Sequence, residues 1–234
     1  MTSPKAVLLS ALSKYDFAKV VIDNNLAFRP PNGKKIVLAS ASPRRRELFT
    51  QIGIHDYDVD PANIDESIFP NELPRAYTLR IAKKKADVVS NKHKKCFVLA
   101  ADTVVACGRR ILGKAESKKQ AILCLNLLSG RRHKVLTSVV LNTPNGDQID
   151  RLVTSIVTFK KLGQEEIDSY INSGEWEGKA GGYAIQGIAA AYIRALSGSY
   201  SNVVGLPLYE TYNMLKGFGF YHQMADLNNE QSSQ

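Results

Sequence analysis

The sequence has no long hydrophobic run and no clear targeting signal. Its N-terminal stretch AVLLSALSKYDFAKVVIDN is interrupted by Lys14, Asp16 and Lys19, so it resembles neither a membrane-spanning helix nor the apolar part of a secretory signal. A mitochondrial presequence is a weaker alternative, because no arginine precedes Arg29 and acidic residues are present. We therefore expect a cytoplasmic protein that does not cross a membrane.

Cysteine and histidine are both scarce and scattered. The three cysteines, Cys96, Cys107 and Cys124, lie far apart and show no CxxC spacing, which disfavours a disulfide framework or a cysteine-based metal site. The four histidines are equally dispersed, so the sequence indicates no zinc site. Reduced, buried thiols are the expectation.

Low-complexity segments and an excess of acidic charge are also lacking. Hydrophobic residues make up 44% of the chain, which favours a folded core over a disordered chain. The 31 Lys and Arg residues outnumber the 22 Asp and Glu residues and give a formal net charge of +9. That balance favours a polyanionic partner, whether nucleic acid, a nucleotide or an acidic membrane surface, and charge alone leaves all three open.

Strand and helix patterns are mixed along most of the chain, which predicts an α/β or mixed α+β fold. Strands are predicted at 35–39, 56–60, 96–108, 133–162 (a hairpin around Pro-Asn-Gly-Asp) and 189–196, and helices at 42–53, 72–91, 117–130, 163–174 and 207–219. Residues 1–33 are predicted to form a helical extension and linker, 34–220 the main domain, and 221–234 a polar tail that frays.

The stretch IVLASASPRRRELF, residues 36–49, places three arginines where a strand meets a helix. Pro43 suits the first helical position, so free backbone N–H groups and the helix dipole favour an anion there. Ser40 and Ser42 add hydroxyl donors, and arginine offers planar, bidentate donors for phosphate. Because residues step about 100° around a helix, the arginines 44–46 cannot all face one ligand; we expect one or two to bind and the third to be solvated.

The alternative interpretation of this stretch is a capped surface helix with a basic first turn. Positive charge at a helix N-terminus opposes the dipole, at about 0.3–1 kcal/mol per unpaired charge. A nearby anion would remove that conflict, and this argument favours a phosphate site.

Acidic residues stand at the ends of predicted strands. Asp102 is alone in the apolar run VLAADTVVACG, where a buried charge is unfavourable unless it is paired or bound to metal; the alternative is a turn cap at a strand end. Asp65 and Glu66 follow the short strand at 56–60. Carboxylates opposite an arginine-lined anion site suit a divalent cation that bridges carboxylate and phosphate.

A glycine-rich stretch, GKAGGYAIQG, completes the set of candidate binding segments. Its glycines allow close approach of the backbone to a ligand, and Gln186 offers both a donor and an acceptor. Glycine-rich loops are common, so this stretch alone is a weak indication.

Five ordered blocks together resemble one family: LASASPRR, RIAKKKA, AADTVV followed by ILGK, LSGRRHKVLTSV, and KAGGYAIQG followed by SYSNVVGLPL. From about residue 36 to 217 the chain is similar to the Maf-like nucleotide pyrophosphatases. The resemblance implies an elongated mixed sheet flanked by helices around a deep nucleotide-binding cleft, like that of inosine triphosphatases. It also implies hydrolysis of nucleoside triphosphates to monophosphate and pyrophosphate, with Mg²⁺ or Mn²⁺, by a cytoplasmic and often dimeric house-cleaning enzyme.

The resemblance implies a substrate-binding role for five residues. Ser40, Arg44 and Arg45 match the phosphate-binding signature. Lys114 matches the lysine of the GK turn, and Gln186 matches the glutamine of IQG. That glutamine resembles the branch that acts on dTTP and UTP rather than the branch that acts on 7-methyl-GTP.

Three further residues match the catalytic positions of the family. Glu66 matches the acidic position after the second strand, which implies a metal ligand. Lys85 matches the lysine of the following helix, and Asp102 the aspartate taken as catalytic base. Whether Asp102 is base, metal ligand or both stays open at this point.

The chain also departs from the family pattern. Ala115 replaces a proline, which predicts a looser turn after Lys114. Trp176 and Gly178 replace a proline and an aspartate before KAG, and residues 1–33 have no counterpart in the short members.

Two rival functions remain. A nucleic-acid-binding module would explain the net charge and the basic runs at 83–85 and 131–132, but no nucleic-acid motif is present and aromatic residues are not interleaved with those runs. A nucleotide-binding regulator that has lost catalysis is the second rival. The intact set of candidate residues argues against it.

Overall fold

The computed structural model describes residues 26–224. The strands in that range are β1 Leu26–Arg29, β2 Ile36–Leu38, β3 Asp58–Val59, β4 Phe97–Cys107, β5 Arg110–Leu112, β6 Arg132–Asn142, β7 Gln148–Phe159, β8 Ile193–Ser197 and β9 Tyr221–Met224. The α-helices are α1 Pro43–Gln51, α2 Pro74–Lys92, α3 Lys118–Leu128, α4 Gln164–Ser173, α5 Tyr200–Val204 and α6 Leu208–Gly217, with short 3₁₀ turns at Pro31–Gly33 and Ile188–Tyr192.

A seven-stranded mixed sheet forms the centre of the molecule. Its order is β3-β2-β4-β6-β7-β8, and β5 pairs with β4. β2 is parallel to β3 and β4, whereas the pairs β4–β6, β6–β7 and β7–β8 are antiparallel. The hairpin expected around Pro-Asn-Gly-Asp joins β6 to β7. Both this hairpin and the mixed α/β class are confirmed.

Helices cover both faces of the central strand β4, because its side chains alternate between the faces. On one face Val98 and Ala100 pack with α2 residues such as Ala86, all fully buried. On the other face Leu99 belongs to the main core, together with Leu125 of α3. Burial on both faces explains why β4 has an almost continuous apolar sequence. It also means that a carboxylate in β4 lies inside the protein.

The two ends of the described chain correct the sequence predictions. Residues 26–29, expected within a helical extension, form β1, and residues 221–224, expected to fray, form β9 antiparallel to it. Phe28 is 2% exposed, and its ring centroid lies 4.8 Å from that of Tyr212, so aromatic burial stabilises this strand pair. The helix expected before residue 26 lies outside the described residues, and the division into three segments stays a prediction.

Two smaller differences also separate prediction from structure. The cysteines are all free, as expected, but they are partly exposed rather than buried. The strand expected at 189–196 begins only at Ile193, because a 3₁₀ turn comes first. Within residues 26–224 no helix combines the length and the apolar character needed to cross a membrane.

Candidate active site

A cavity of about 430 Å³ opens between the turn that joins β2 to α1 and the glycine-rich segment after α4. Part of its wall is apolar, with Val105, Val135 and Ile185. The rest is charged or polar and brings together all eight residues expected from the sequence: Ser40, Arg44, Arg45, Glu66, Lys85, Asp102, Lys114 and Gln186. Asp65 does not line the cavity; its carboxylate accepts hydrogen bonds from Ser67.

The turn between β2 and α1 presents Ser40 as a hydrogen-bond donor. Ser42 is the N-cap residue and Pro43 the first residue of α1, as the sequence predicts, but the Ser42 hydroxyl does not cap the helix. Instead the Ser42 amide donates to Ser40 Oγ at 3.3 Å, and Arg45 Nη1 donates to the same oxygen at 3.0 Å. With both lone pairs engaged, the Ser40 hydroxyl hydrogen is available to a ligand oxygen.

The three arginines of α1 have three different environments. The Arg45 guanidinium donates from Nε to Gly205 O at 2.8 Å and from Nη2 to Thr103 Oγ1 at 3.1 Å, besides its bond to Ser40. Arg44 lines the cavity and makes no side-chain hydrogen bond or ion pair with any other described residue. Arg46 is exposed and lies off the cavity wall. Arg44 is therefore the arginine free to bind an anion, while Arg45 mainly holds the site together.

A buried polar network continues from Arg45 into the sheet. Thr103 Oγ1 lies 2.9 Å from Thr137 Oγ1, which donates to Asn202 O at 2.9 Å. Asn202 is fully buried, and its Nδ2 donates to Val135 O and Ser155 Oγ at 3.1 and 3.0 Å. Sequence reasoning missed these residues. The available signals were the block SYSN and the polar threonine beside Asp102 in an apolar strand.

Three charged side chains meet beside β4. Lys85 Nζ of α2 lies 2.7 Å from Asp102 Oδ1 and 2.9 Å from Glu66 Oε1. Lys114 Nζ lies 3.4 Å from Glu66 Oε2. Lys85 and Asp102 are 7% and 5% exposed, whereas a third of the Glu66 side chain is exposed. The two carboxylates therefore converge on one ammonium group at the cavity wall.

The two carboxyl groups of this cluster have opposite pKa shifts. Burial raises the pKa of Asp102 above its ordinary value, although the charges of Lys85 and Arg45 oppose that rise. Burial also acts to raise the pKa of Glu66, but the hydrogen bond and charge of Lys85, together with Lys114, hold it below its ordinary value. Asp102 is thus the better proton acceptor of the pair, and Glu66 the more firmly ionised.

Glu66 lies on a long connection between β3 and α2 that α2 holds in place. Tyr77 Oη donates to Glu66 O at 2.9 Å, and Arg80 Nη2 donates to Ser67 O at 2.9 Å. Arg80 also pairs with both oxygens of Glu72 at 2.6 Å. No sequence pattern singles out Tyr77 or Arg80, beyond the presence of Arg80 in the block RIAKKKA.

The GK turn and the glycine-rich segment are hydrogen-bonded to each other. Lys114 and Ala180 form an antiparallel bridge, and the Ala115 amide donates to Lys179 O at 3.1 Å. Proline could not make that second bond, so the alanine adds a hydrogen bond that acts against the expected loosening. Gly181 has φ 68°, and a Cβ there would lie 2.9 Å from Val105, which explains the glycine.

The donor set fits a hard divalent cation that is shared with a substrate. Within residues 26–224 no group of three or more His, Cys, Asp or Glu side chains is placed to hold a metal ion, and Glu66 and Asp102 are the two carboxylates on the cavity wall. Mg²⁺ is commonly held by one or two carboxylates plus substrate phosphates and water. Both carboxylates already contact one cationic group, the Lys85 ammonium. They therefore suit a cation that is held by two carboxylates together with substrate phosphates and water.

A family model described as Maf-like protein matches residues 35–218. The chain belongs to the Maf-like family. The eight candidate site residues on the cavity wall all lie inside the matched range. Among curated Maf-like relatives, the dTTP/UTP pyrophosphatase of Caulobacter vibrioides is 55% identical over 188 residues, which cover 80% of this chain and 97% of that protein. The dTTP/UTP pyrophosphatase of Paramagnetospirillum magneticum is 57% identical over 185 residues, which cover 79% and 97% of the two chains.

Solved structures resemble the chain more distantly. A HAM1 protein from Coxiella burnetii is 14% identical, with a TM-score of 0.44, over 79% of this chain and 99% of that chain.

Proposed function

We propose that this Maf-like protein hydrolyses pyrimidine nucleoside triphosphates, dTTP or UTP, to the monophosphate and pyrophosphate. The observation that carries the proposal is that one cavity wall holds the Glu66–Lys85–Asp102 cluster and Arg44, whose side chain has no partner among residues 26–224. Relatives named dTTP/UTP pyrophosphatase, at 55–57% identity over nearly their full length, support the choice of substrate.

The anion-binding residues would hold the triphosphate along one side of the cavity. Arg44, the Ser40 hydroxyl and the free amides at the start of α1 can donate to phosphate oxygens. Lys114 also lines the cavity, with its Nζ 3.4 Å from Glu66 Oε2, and its ammonium can neutralise charge on the departing pyrophosphate. Arg45 would act mainly by fixing the turn that carries these donors.

Asp102 would take the proton in the chemical step. A water oxygen forms a bond to the α-phosphorus while the bond from that phosphorus to the bridging oxygen breaks, and pyrophosphate leaves. The proton of the water passes to the Asp102 carboxylate, whose raised pKa suits a general base. Lys85 would keep that carboxylate ionised and orient it at 2.7 Å.

A divalent cation, Mg²⁺ or Mn²⁺, is part of the proposal. Glu66 and Asp102 would hold it together with phosphate oxygens, and when bound it would lower the pKa of the attacking water and neutralise phosphate charge. Gln186 would contact the nucleobase with its amide donor and acceptor. A homodimer, a cytoplasmic location and the absence of nucleic-acid binding stay predictions.

The test is product analysis with purified protein. UTP, dTTP, CTP and ATP are each incubated with Mg²⁺ or Mn²⁺, and the products are separated by chromatography. We expect UMP or dTMP with pyrophosphate. Nucleoside diphosphate with free phosphate would instead identify an ordinary triphosphatase, and tight UTP binding without turnover would identify a nucleotide-binding regulator.

A further inference from the structure

A carboxylate from outside the glycine-rich segment caps the turn that follows Gln186. Glu175 lies just after α4, and its Oε2 accepts a hydrogen bond from the Ile188 amide at 2.8 Å. Ile188 is the first residue of the 3₁₀ turn Ile188–Tyr192, and Gly187 is the N-cap residue of that turn. A carboxylate at the first free amide of a helical turn is favourable. Glu175 therefore fixes the backbone immediately after Gln186.

The same carboxylate explains why residue 187 is glycine. Gly187 has φ −110° and ψ −150°, so no left-handed backbone requires glycine there. A Cβ on Gly187 would lie 2.1 Å from Glu175 Oε2 and 2.5 Å from Glu175 Cδ, which is far inside van der Waals contact. Glu175 and Gly187 are thus a matched pair, in which the carboxylate fills the space of the missing side chain.

Gln186 directly precedes Gly187 in the chain, so the contact between Glu175 and Gly187 can control the position of Gln186. It lines the cavity, its side chain is exposed, and it makes no side-chain hydrogen bond within residues 26–224. No side-chain hydrogen bond from the described residues therefore fixes the Gln186 amide, so the backbone on its C-terminal side has the larger influence on the position of that amide. That backbone is the one that Glu175 holds.

We propose that Glu175 is a positioning residue for nucleobase recognition, because its cap on Ile188 holds the Gln186 amide at the base-binding part of the cavity. The inference rests on the proposed function, in which Gln186 contacts the base. Glu175 does not line the cavity, so it would act through Gln186 rather than on the phosphates, and its effect should depend on the presence of a nucleobase.

The experiment compares UTP with inorganic tripolyphosphate, which has the phosphate chain but no base. kcat and KM for UTP, and the inhibition constant of tripolyphosphate, are measured for the wild type, Glu175→Ala, Glu175→Asp, Glu175→Gln and Gly187→Ala. Glu177→Ala is the matched control, since Glu177 is an exposed neighbour whose carboxylate accepts no hydrogen bond from the described residues.

For Glu175→Ala we expect the KM for UTP to rise about 10- to 100-fold, the effect of losing a hydrogen bond to a charged group. kcat should stay within about threefold of the wild-type value, because the variant loses substrate binding and not the chemical step. The inhibition constant of tripolyphosphate should not change. Gly187→Ala should behave like Glu175→Ala, because its Cβ displaces the carboxylate. Glu175→Gln keeps an acceptor and should retain most of the affinity, and Glu175→Asp, which has a shorter reach, should lie between.

A double variant tests whether Glu175 acts through Gln186. In the background of Gln186→Ala, we expect Glu175→Ala to raise the KM for UTP no further. Additive effects of the two changes, an equal weakening of tripolyphosphate inhibition, or an unchanged KM in Glu175→Ala would each overturn the inference. If Glu175→Ala does not fold, Glu175→Asp and Gly187→Ala carry the same comparison.

Failure of the proposed function is recognised separately. A wild type that turns over no triphosphate overturns that function, and the same comparison is then made on the binding of UTP and tripolyphosphate by calorimetry. Under that measurement, a loss of UTP affinity confined to the Glu175 and Gly187 variants supports the inference. Equal affinities across all variants overturn it.

Discussion

Lys85 Nζ lies 2.7 Å from Asp102 Oδ1, and both side chains are almost completely buried. The lysine comes from α2 and the aspartate from β4, so the packing of this helix on the sheet brings the pair together. A buried ion pair adds little net stability, because desolvation offsets most of the attraction. Its place on the cavity wall, with Glu66 as a third member, supports the functional role that we propose for it.

The arginines of α1 should respond differently to replacement. Arg44→Ala should weaken binding of a non-hydrolysable UTP analogue about 10-fold or more, the worth of one charge-assisted bond, with little change in melting temperature. Arg45→Ala removes one donor from each of three acceptors and should cost about 1–3 kcal/mol of stability. Arg46→Ala is the matched control and should match wild type in both calorimetry and thermal melts. A destabilised Arg44→Ala variant would contradict this division of roles.

Tyr77 should influence metal use through the backbone of Glu66. Tyr77→Phe removes the 2.9 Å hydrogen bond to Glu66 O, so Glu66 should be held less firmly. We expect the Mg²⁺ concentration for half-maximal activity to rise about 3- to 10-fold, the range for one hydrogen bond of about 1 kcal/mol. Tyr209→Phe is a suitable control, because Tyr209 is 77% exposed. Identical metal-activation curves for wild type and Tyr77→Phe would show that this contact does not position Glu66.

Acid should weaken the ion pair between Arg80 and Glu72. The hydrogen bond from Arg80 lowers the pKa of Glu72, so the ionised pair stabilises the folded state above the ordinary glutamate pKa. That contribution is lost as the pH falls through the lower, folded-state pKa. The difference in melting temperature between wild type and Glu72→Gln should therefore be largest near neutral pH and shrink from about pH 5 to pH 3. A difference that stays constant over this range would exclude the ion pair as its source.

Removal of divalent metal should abolish turnover. Without a cation, Glu66 and Asp102 present negative charge to a polyanionic substrate, and the nearby charges of Lys85, Lys114 and Arg45 have to offset it. Activity should vanish with a chelator and return with Mg²⁺ or Mn²⁺. Glu66→Gln should raise the metal concentration needed. Full activity of the chelated enzyme would refute the assignment of both carboxylates as metal ligands.

Local signals predicted much of the architecture and the composition of the site. Pro43 at the start of a helix, the hairpin turn and the lone Asp102 in an apolar strand each follow from short stretches of sequence. Lys85 could also have been predicted as buried, since it shares a helix face with Ala82, Ala86 and Val89. Such a lysine needs an acidic partner.

Contacts between distant parts of the chain could not be predicted in this way. Arg45 and Arg44 are neighbours in sequence, and their different roles depend on Gly205 and Thr103, which lie 160 and 58 positions from Arg45. The pairing of β1 with β9 joins the two ends of the described chain, and no local pattern marks it. The position of Glu175 over Gly187 likewise depends on the packing of two separate segments.

Replacement of Asp102 by asparagine tests the central claim, that this carboxylate performs the chemistry, most directly. The change keeps size and a hydrogen-bond acceptor for Lys85, which also retains Glu66 as partner, but it removes the base and the charge. We expect a near wild-type melt, retained binding of a non-hydrolysable UTP analogue through Arg44 and the amides of α1, and turnover reduced by roughly 10²–10⁴-fold, as for loss of a positioned base. An Asp102→Asn variant that melts normally and hydrolyses UTP at near wild-type rate would contradict the account.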